Sequence, residues 1–304
     1  MQSTATPPRP AAVSALNALA AAALYGALFG PLLYWIGAEW GWWPALPRAS
    51  SSCGDDPLDF RLAGAGAAVG LLLGAAVVAW QLGRGRGRAF GAVAVDVLRF
   101  YLAFTLLGYG FAKVWATQFP SLWANLDTPP SELSPMRVAW MFFGYSRPYQ
   151  QFLGWAEVVP ALLLLPRRTA TLGALLAITV LANVFALNIF FDVCVKLQSG
   201  LYLASALLIF LQDAGRLWQF FLGSGPVPPR RVATDWFVSL PGRRRFRSFT
   251  LAAVALVLAL AGLGAHDAYD YARSQQPTAL TGVWQPRQVT RWVAGTWQPV
   301  APTD

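Results

Sequence analysis

Thr171 to Phe191 reads TLGALLAITVLANVFALNIFF. These 21 residues carry no charge. A run of about 18 or more apolar residues is long enough to cross a bilayer as a helix, at ~1.5 Å per residue against a core of ~30 Å. The polar side chains inside it are Thr171, Thr179, Asn183 and Asn188. Directly after it comes DVCVKLQSG, Asp192 to Gly200, where an acid, a thiol and an amine crowd together at the end of the greasy segment.

Six further stretches read the same way: Ala12–Ile36, Leu62–Leu82, Val93–Ala116, Tyr149–Leu165, Leu201–Phe221 and Phe249–Ala268. The expected fold is therefore all-α, a polytopic transmembrane helix bundle of about seven spans. Composition agrees. Of the 304 residues 56% are hydrophobic and 12% charged, against about 25% charged in a soluble domain. The first apolar stretch is longer than the roughly 7–15 residues of a signal-peptide core, so it is expected to stay as a helix.

The net charge of +9 could point to nucleic acid, but its distribution argues against that. Seven spans divide the loops into two sets. One holds thirteen arginines, among them Arg84, Arg86, Arg88, Arg167, Arg168, Arg216 and the group Arg243 to Arg247, against Asp213 and Asp235. The other is balanced, with Glu39, Asp55, Asp56, Asp59, Asp127 and Glu132 among its acids. Positive loops stay on the cytoplasmic side. The expectation is an N-terminus inside, a C-terminus outside, a lipid bilayer as the surrounding partner and no nucleic acid. Both cysteines, Cys53 and Cys194, then face the oxidising side, where a disulfide between them could persist.

The chain divides into a bundle over 1–222, a basic linker over 223–248, a last span over 249–272 and an outer tail over 273–304, which is expected to be truncated. Within the outer loop Gln118–Pro148, Ser134 followed by Pro135 is a helix-start signal for a short surface helix. The tail segment around Ala294 and Gly295 reads as a β-hairpin, which must dock on something because a lone hairpin is barely stable.

Ionisable groups inside a membrane need a partner or a job. Asp96 and Arg99, three apart, can pair near the inner end of the third span. Thr105, Tyr109 and Lys113 form one stripe toward its outer end, and Lys113 is one of only two lysines beside 21 arginines. Glu157 lies deep in the fourth span, ahead of Pro160, and could pair with Lys113 or Arg147. Asn188, Asp192 and Lys196 share a face if their helix continues that far, with Asn183 deeper on another. His266 stands with Asp267, Tyr269 and Asp270 at the outer end of the last span. A lone histidine is poor evidence for a metal, and no metal site is expected. Apart from Asp96 and Arg99, these groups gather in the outer half, which is the layout of a polar pocket open to the outer face.

Three stretches carry a family resemblance: GYGFAKVWATQFP from Gly108, then SELSPMRVAWMFFGYSRPYQQFLGWAEVVPALLLLPRRTATLGAL from Ser131, then NVFALNIFFDVCVKLQS from Asn183. Over about Asp96 to Leu222 the chain resembles the DoxX-like membrane proteins of the DoxX/DoxD and MauE-like set. The tail LTGVWQPRQVTRWV is similar to the segment after the last span in longer members. The resemblance implies a small helical bundle in the bacterial cytoplasmic (inner) membrane. Some relatives belong to thiosulfate:quinone oxidoreductase or other redox-linked complexes. A more remote similarity, to the membrane part of vitamin-K-dependent carboxylase-like proteins, makes a buried lysine a candidate base toward a quinone-like ring.

The leading expectation is a redox-linked membrane protein that binds a quinone in the outer pocket. Lys113 or Tyr109 would donate to a quinone oxygen, and Glu157 and Asp192 would move protons. Trp115, Trp140, Phe142 and Trp155 would flank the ring, with Arg147, Asn183, Asn188 and Lys196 along the walls. Electrons would come from a partner, a soluble redox subunit or an extracytoplasmic protein, or directly from a substrate. The alternatives are a non-enzymatic scaffold for such a partner and, behind it, a transporter.

Overall fold

A computed structural model of the chain describes residues 11–46, 55–83, 87–119, 128–223, 225–227, 240–274, 290–293 and 296–299. The helices are α1 (Ala11–Glu39), α2 (Pro57–Gly83), α3 (Gly87–Val114), α4 (Pro135–Tyr145), α5 (Arg147–Leu164), α6 (Ala170–Phe190), α7 (Lys196–Leu211), α8 (Ala214–Leu222) and α9 (Leu240–Ser274). Two short strands, β1 (Thr290–Val293) and β2 (Thr296–Pro299), pair antiparallel with Trp292 opposite Trp297.

Five of the helices, α1, α2, α3, α6 and α9, are long and apolar enough to cross a membrane, and the bent pair α7–α8 makes six. The protein is a multi-pass, helical membrane protein. α5 is not among these helices; Arg147, Gln150, Gln151 and Glu157 dilute its 18 residues. The expected single span Leu201–Phe221 is instead two helices meeting at 63°. The break falls where Gln212 and Asp213 bond back three residues, to Ile209 and Phe210, and Asp213 turns its carboxylate to Thr171 and Arg216. The expected basic linker is shorter than 223–248, because α9 already starts at Leu240. Pro241 is tolerated there in a first helical turn, whose N–H groups have no helical partner.

α3 is the hub. It packs against α1, α2, α5, α7 and α9, and its Leu98, Leu102, Leu106 and Leu107 are all but inaccessible. α1 and α2 meet backbone to backbone: a Cβ placed on Gly26 would lie 1.9 Å from the Gly66 carbonyl oxygen. Small residues allow such approach where lipid gives helices no hydrophobic reason to associate.

Polar groups collect at the two ends of the bundle. At one end Asp96 pairs with Arg99 at 3.2 Å and with Arg167. The Arg99 guanidinium, 2% exposed, donates to the carbonyls of Leu164, the last residue of α5, and Leu165, its C-cap, where carbonyls lack helical donors. Arg167, which the sequence offers only as a loop charge, completes that cluster. Asn17 donates to Gln212 at the same end. The other end holds the candidate site.

Candidate functional site

Lys113 belongs to the last turn of α3 and Glu157 to the middle of α5. The ammonium donates to both carboxylate oxygens, at 2.8 and 2.7 Å. Lys113 is 6% exposed and Glu157 3%. Each charge thus has its counter-charge from a different helix, the arrangement a low-dielectric interior demands. Of the two candidate partners of Glu157, the structure selects Lys113. Arg147 stands exposed at the first position of α5, ten residues before Glu157. The Tyr109 ring lies one turn before Lys113, its centroid 5.8 Å from the ammonium nitrogen.

α5 turns one face to α3, bearing Gln150, Gly154, Glu157, Val158 and Ala161, all buried. The seven-residue step from Gln150 to Glu157 keeps both on that face. Gln151 donates to the Val114 carbonyl at 3.2 Å, which ties the first turns of α5 to the last turn of α3. Gln150 therefore stands level with the chain from Trp115 to Gln118.

α3 ends by reversing. Ala116 has φ +58, and the amides of Ala116 and Thr117 return to the carbonyls of Lys113 and Ala112 at 2.9 and 2.8 Å. This is the paired-bond closure of a helix C-terminus that glycine usually makes. It fixes Trp115, whose ring meets Tyr269 of α9 edge-on at 5.0 Å between centroids. At this end of α3 and α5, Trp115 Nε1, Gln118 Oε1 and Gln150 Nε2 are buried with no hydrogen-bond partner among the described residues. Native interiors leave few such atoms, and each is expensive. Sequence reasoning named Trp115 but passed over Gln118 and Gln150. The signal for Gln150 was its seven-residue spacing from Glu157.

The other candidate residues lie elsewhere at this end. α6 stops at Phe190, so Asn188, Asp192 and Lys196 do not share a helical face as expected. Asp192 takes φ +50 and the Val193 amide returns to the Asn188 carbonyl at 2.9 Å, closing the helix. Asn188 is buried and donates to Ser199 of α7 at 3.0 Å. Asp192, its side chain 81% exposed, accepts from Lys196 at 2.7 Å across the turn. Lys196 also faces Asp55 at 3.5 Å. The Asp55 carboxylate receives the amides of Lys196 and Leu197 at 2.8 and 3.0 Å and so caps α7 from a loop far away in sequence. Asn183 faces away from the bundle and takes no part in the cluster. Cys194 is disulfide-bonded; Cys53 lies outside the described residues. Of the residues expected to flank a ring, Phe142 and Trp155 are exposed, while Trp140 packs against Phe119 at 5.0 Å. His266 is exposed, 3.6 Å from Asp270. Among the described residues no group of three His, Cys, Asp or Glu side chains is placed to hold a metal ion.

The arrangement offers a buried ion pair with hydrogen-bonding capacity left over. Lys113 has three donors and spends two on Glu157. Among the described residues, Trp115 Nε1 and Gln150 Nε2 on the donor side and Gln118 Oε1 on the acceptor side are also left without partners at this end of the bundle.

No family model matches this chain, and no solved structure matches it. A protein of Bacillus subtilis (strain 168) described as "Uncharacterized protein YwoB" is 33% identical over 134 residues, which are 44% of this chain and 85% of that protein.

Proposed function

The chain belongs to the family of the Bacillus subtilis protein YwoB, and from that premise we propose that it is a redox-linked protein of the bacterial inner membrane that binds a quinone, or a similarly amphipathic carbonyl compound, where α3 meets α5. One observation carries the reading: Trp115 Nε1, Gln118 Oε1 and Gln150 Nε2 are buried without a hydrogen-bond partner among the described residues, at the end of the bundle where α3 and α5 also bear the buried Lys113–Glu157 pair. A quinone oxygen would accept from Trp115 Nε1, Gln150 Nε2 or the third Lys113 N–H. A quinol hydroxyl would donate to Gln118 Oε1 or to the Glu157 carboxylate. Tyr109 and Trp115, six residues apart where α3 ends, supply ring surface. Kinship with the DoxX-like proteins, seven crossings with the arginine-rich end inside, and electron supply from a soluble or extracytoplasmic subunit belong to the same proposal.

The test compares organic extracts of purified wild type, Trp115→Phe and Gln150→Leu by mass spectrometry. Trp115→Phe removes a buried donor that satisfies nothing among the described residues, so its melting temperature should hold or rise, and Gln150→Leu removes another such donor together with its amide oxygen. Bound quinone should fall in both. Absence of stoichiometric quinone from wild type, or its full retention in both variants, would sink the reading.

A scaffold function is the second reading, favoured by the α4–α5 surface. Phe142, Tyr145, Phe152 and Trp155 are all more than half exposed there, and Met141, Phe142, Tyr145, Ser146 and Tyr149 line a shallow apolar hollow. Co-purification of a stoichiometric partner in mild detergent, lost in Tyr145→Ala, would support it.

A further inference from the structure

α6 has two contrasting faces. Ala170, Gly173, Ala174, Ala177 and Leu181 are buried against the bundle. On the opposite side Leu172, Leu176, Thr179, Asn183 and Phe190 are exposed, at the spacing of a single helical stripe. Asn183 sits seven residues before the end of the helix, about 10 Å along its axis, with the longer part of the span behind it. For a helix whose 21 residues are long and apolar enough to cross a membrane, that depth falls inside the hydrocarbon layer.

An amide carries two donors and an acceptor. In hydrocarbon no water can satisfy them. Thr179, one turn earlier on the same face, returns its hydroxyl to the Leu175 carbonyl at 3.2 Å. Asn183 has no such recourse, and its side chain makes no hydrogen bond among the described residues. Ala182 and Ala186, four apart beside it, leave room for another backbone, as small residues do at helix–helix contacts in membranes.

We propose that this face of α6 docks on α6 of a second copy of the chain, the two Asn183 amides exchanging N–H···O bonds across a two-fold axis along the membrane normal. An acyl chain can offer an amide nothing. An unrelated helix would need a matching polar group at the same depth. A second copy brings one there automatically, because both copies cross the membrane in the same direction, and an amide is its own complement. The contact is isologous and closes as a dimer.

The experiment is energy transfer between donor- and acceptor-labelled protein in liposomes, followed as lipid dilutes the protein. Wild type should show a dimer that dissociates on dilution. Asn183→Leu should weaken association by about tenfold, and Asn183→Gln should keep most of it. Asn183 is exposed, so Asn183→Leu should melt like wild type, which separates a lost interface from a lost fold. As an independent readout, Ala186→Cys should cross-link to itself in native membranes. A wild type that stays monomeric at every dilution, or an Asn183→Leu dimer as tight as wild type, would overturn the proposal.

Discussion

Gly154 of α5 lies directly against Gly110 of α3: a Cβ on Gly154 would come within 2.6 Å of the Gly110 carbonyl oxygen and 2.7 Å of the Val114 amide nitrogen. Both obstacles are backbone, which cannot swing aside. The close approach sets the separation across which Lys113, three residues after Gly110, and Glu157, three residues after Gly154, reach each other from either side of the contact.

Gly154→Ala should therefore push the helices apart and destabilise the protein by about 1–3 kcal/mol, the usual cost of overpacking. Gly108→Ala, on the same helix with no atom within 4 Å of its added Cβ, should be neutral or slightly stabilising. Thermal unfolding in detergent compares them. Equal melting temperatures would mean that the contact is slack.

The Lys113–Glu157 pair should show strong coupling. Lys113→Met or Glu157→Gln alone leaves a buried partner without its counterpart, at a cost of about 3–5 kcal/mol. The double variant Lys113→Met/Glu157→Met should recover much of that loss, because apolar replacements of a buried pair are often tolerated. A double-mutant cycle on unfolding midpoints measures the coupling. Single-variant costs under about 1 kcal/mol would show that the remaining charge finds solvent.

Asp55 should act as a helix cap although it lies 141 residues before Lys196. Asp55→Ala removes acceptors from two amides and a negative charge from the helix N-terminus, so stability should fall by about 1–2 kcal/mol. Hydrogen exchange at the Lys196 and Leu197 amides should rise together with that loss. Exchange unchanged at these two sites would contradict the capping role.

Ala116 occupies a left-handed conformation that costs a residue with a Cβ about 1–2 kcal/mol. Ala116→Gly relieves that strain and gives back part of it through a freer unfolded chain. The expected outcome is a gain of about 0.5–1 kcal/mol, read as a higher melting temperature. A loss would indicate that the Ala116 methyl packs in the turn.

Apolar run length located the main helices, because membrane burial is written in consecutive residues. Ser134 as the cap of α4 was also legible: its hydroxyl accepts from the Arg137 amide, a partner three residues away. Pairings between helices were harder. Glu157 had two candidate cations, and only the relative placement of α3 and α5 chooses Lys113. The role of Asp55 was invisible, since a remote carboxylate leaves no local spacing. Asn188, Asp192 and Lys196 looked like one stripe because four-residue spacing presumes a continuous helix, and the left-handed Asp192 ends it. Gln118 and Gln150 were missed because an uncharged amide raises no alarm in an apolar run until the atoms around it are known.

The order of synthesis gives the Lys113–Glu157 pair a history. Glu157 leaves the ribosome 44 residues after Lys113. At roughly 5–20 residues per second, that delay lasts about 2–9 s. During it the third segment has been made but lacks the carboxylate that neutralises its amine. The hub helix of the finished bundle thus enters the membrane, at birth, with an amine that its later partner has yet to neutralise.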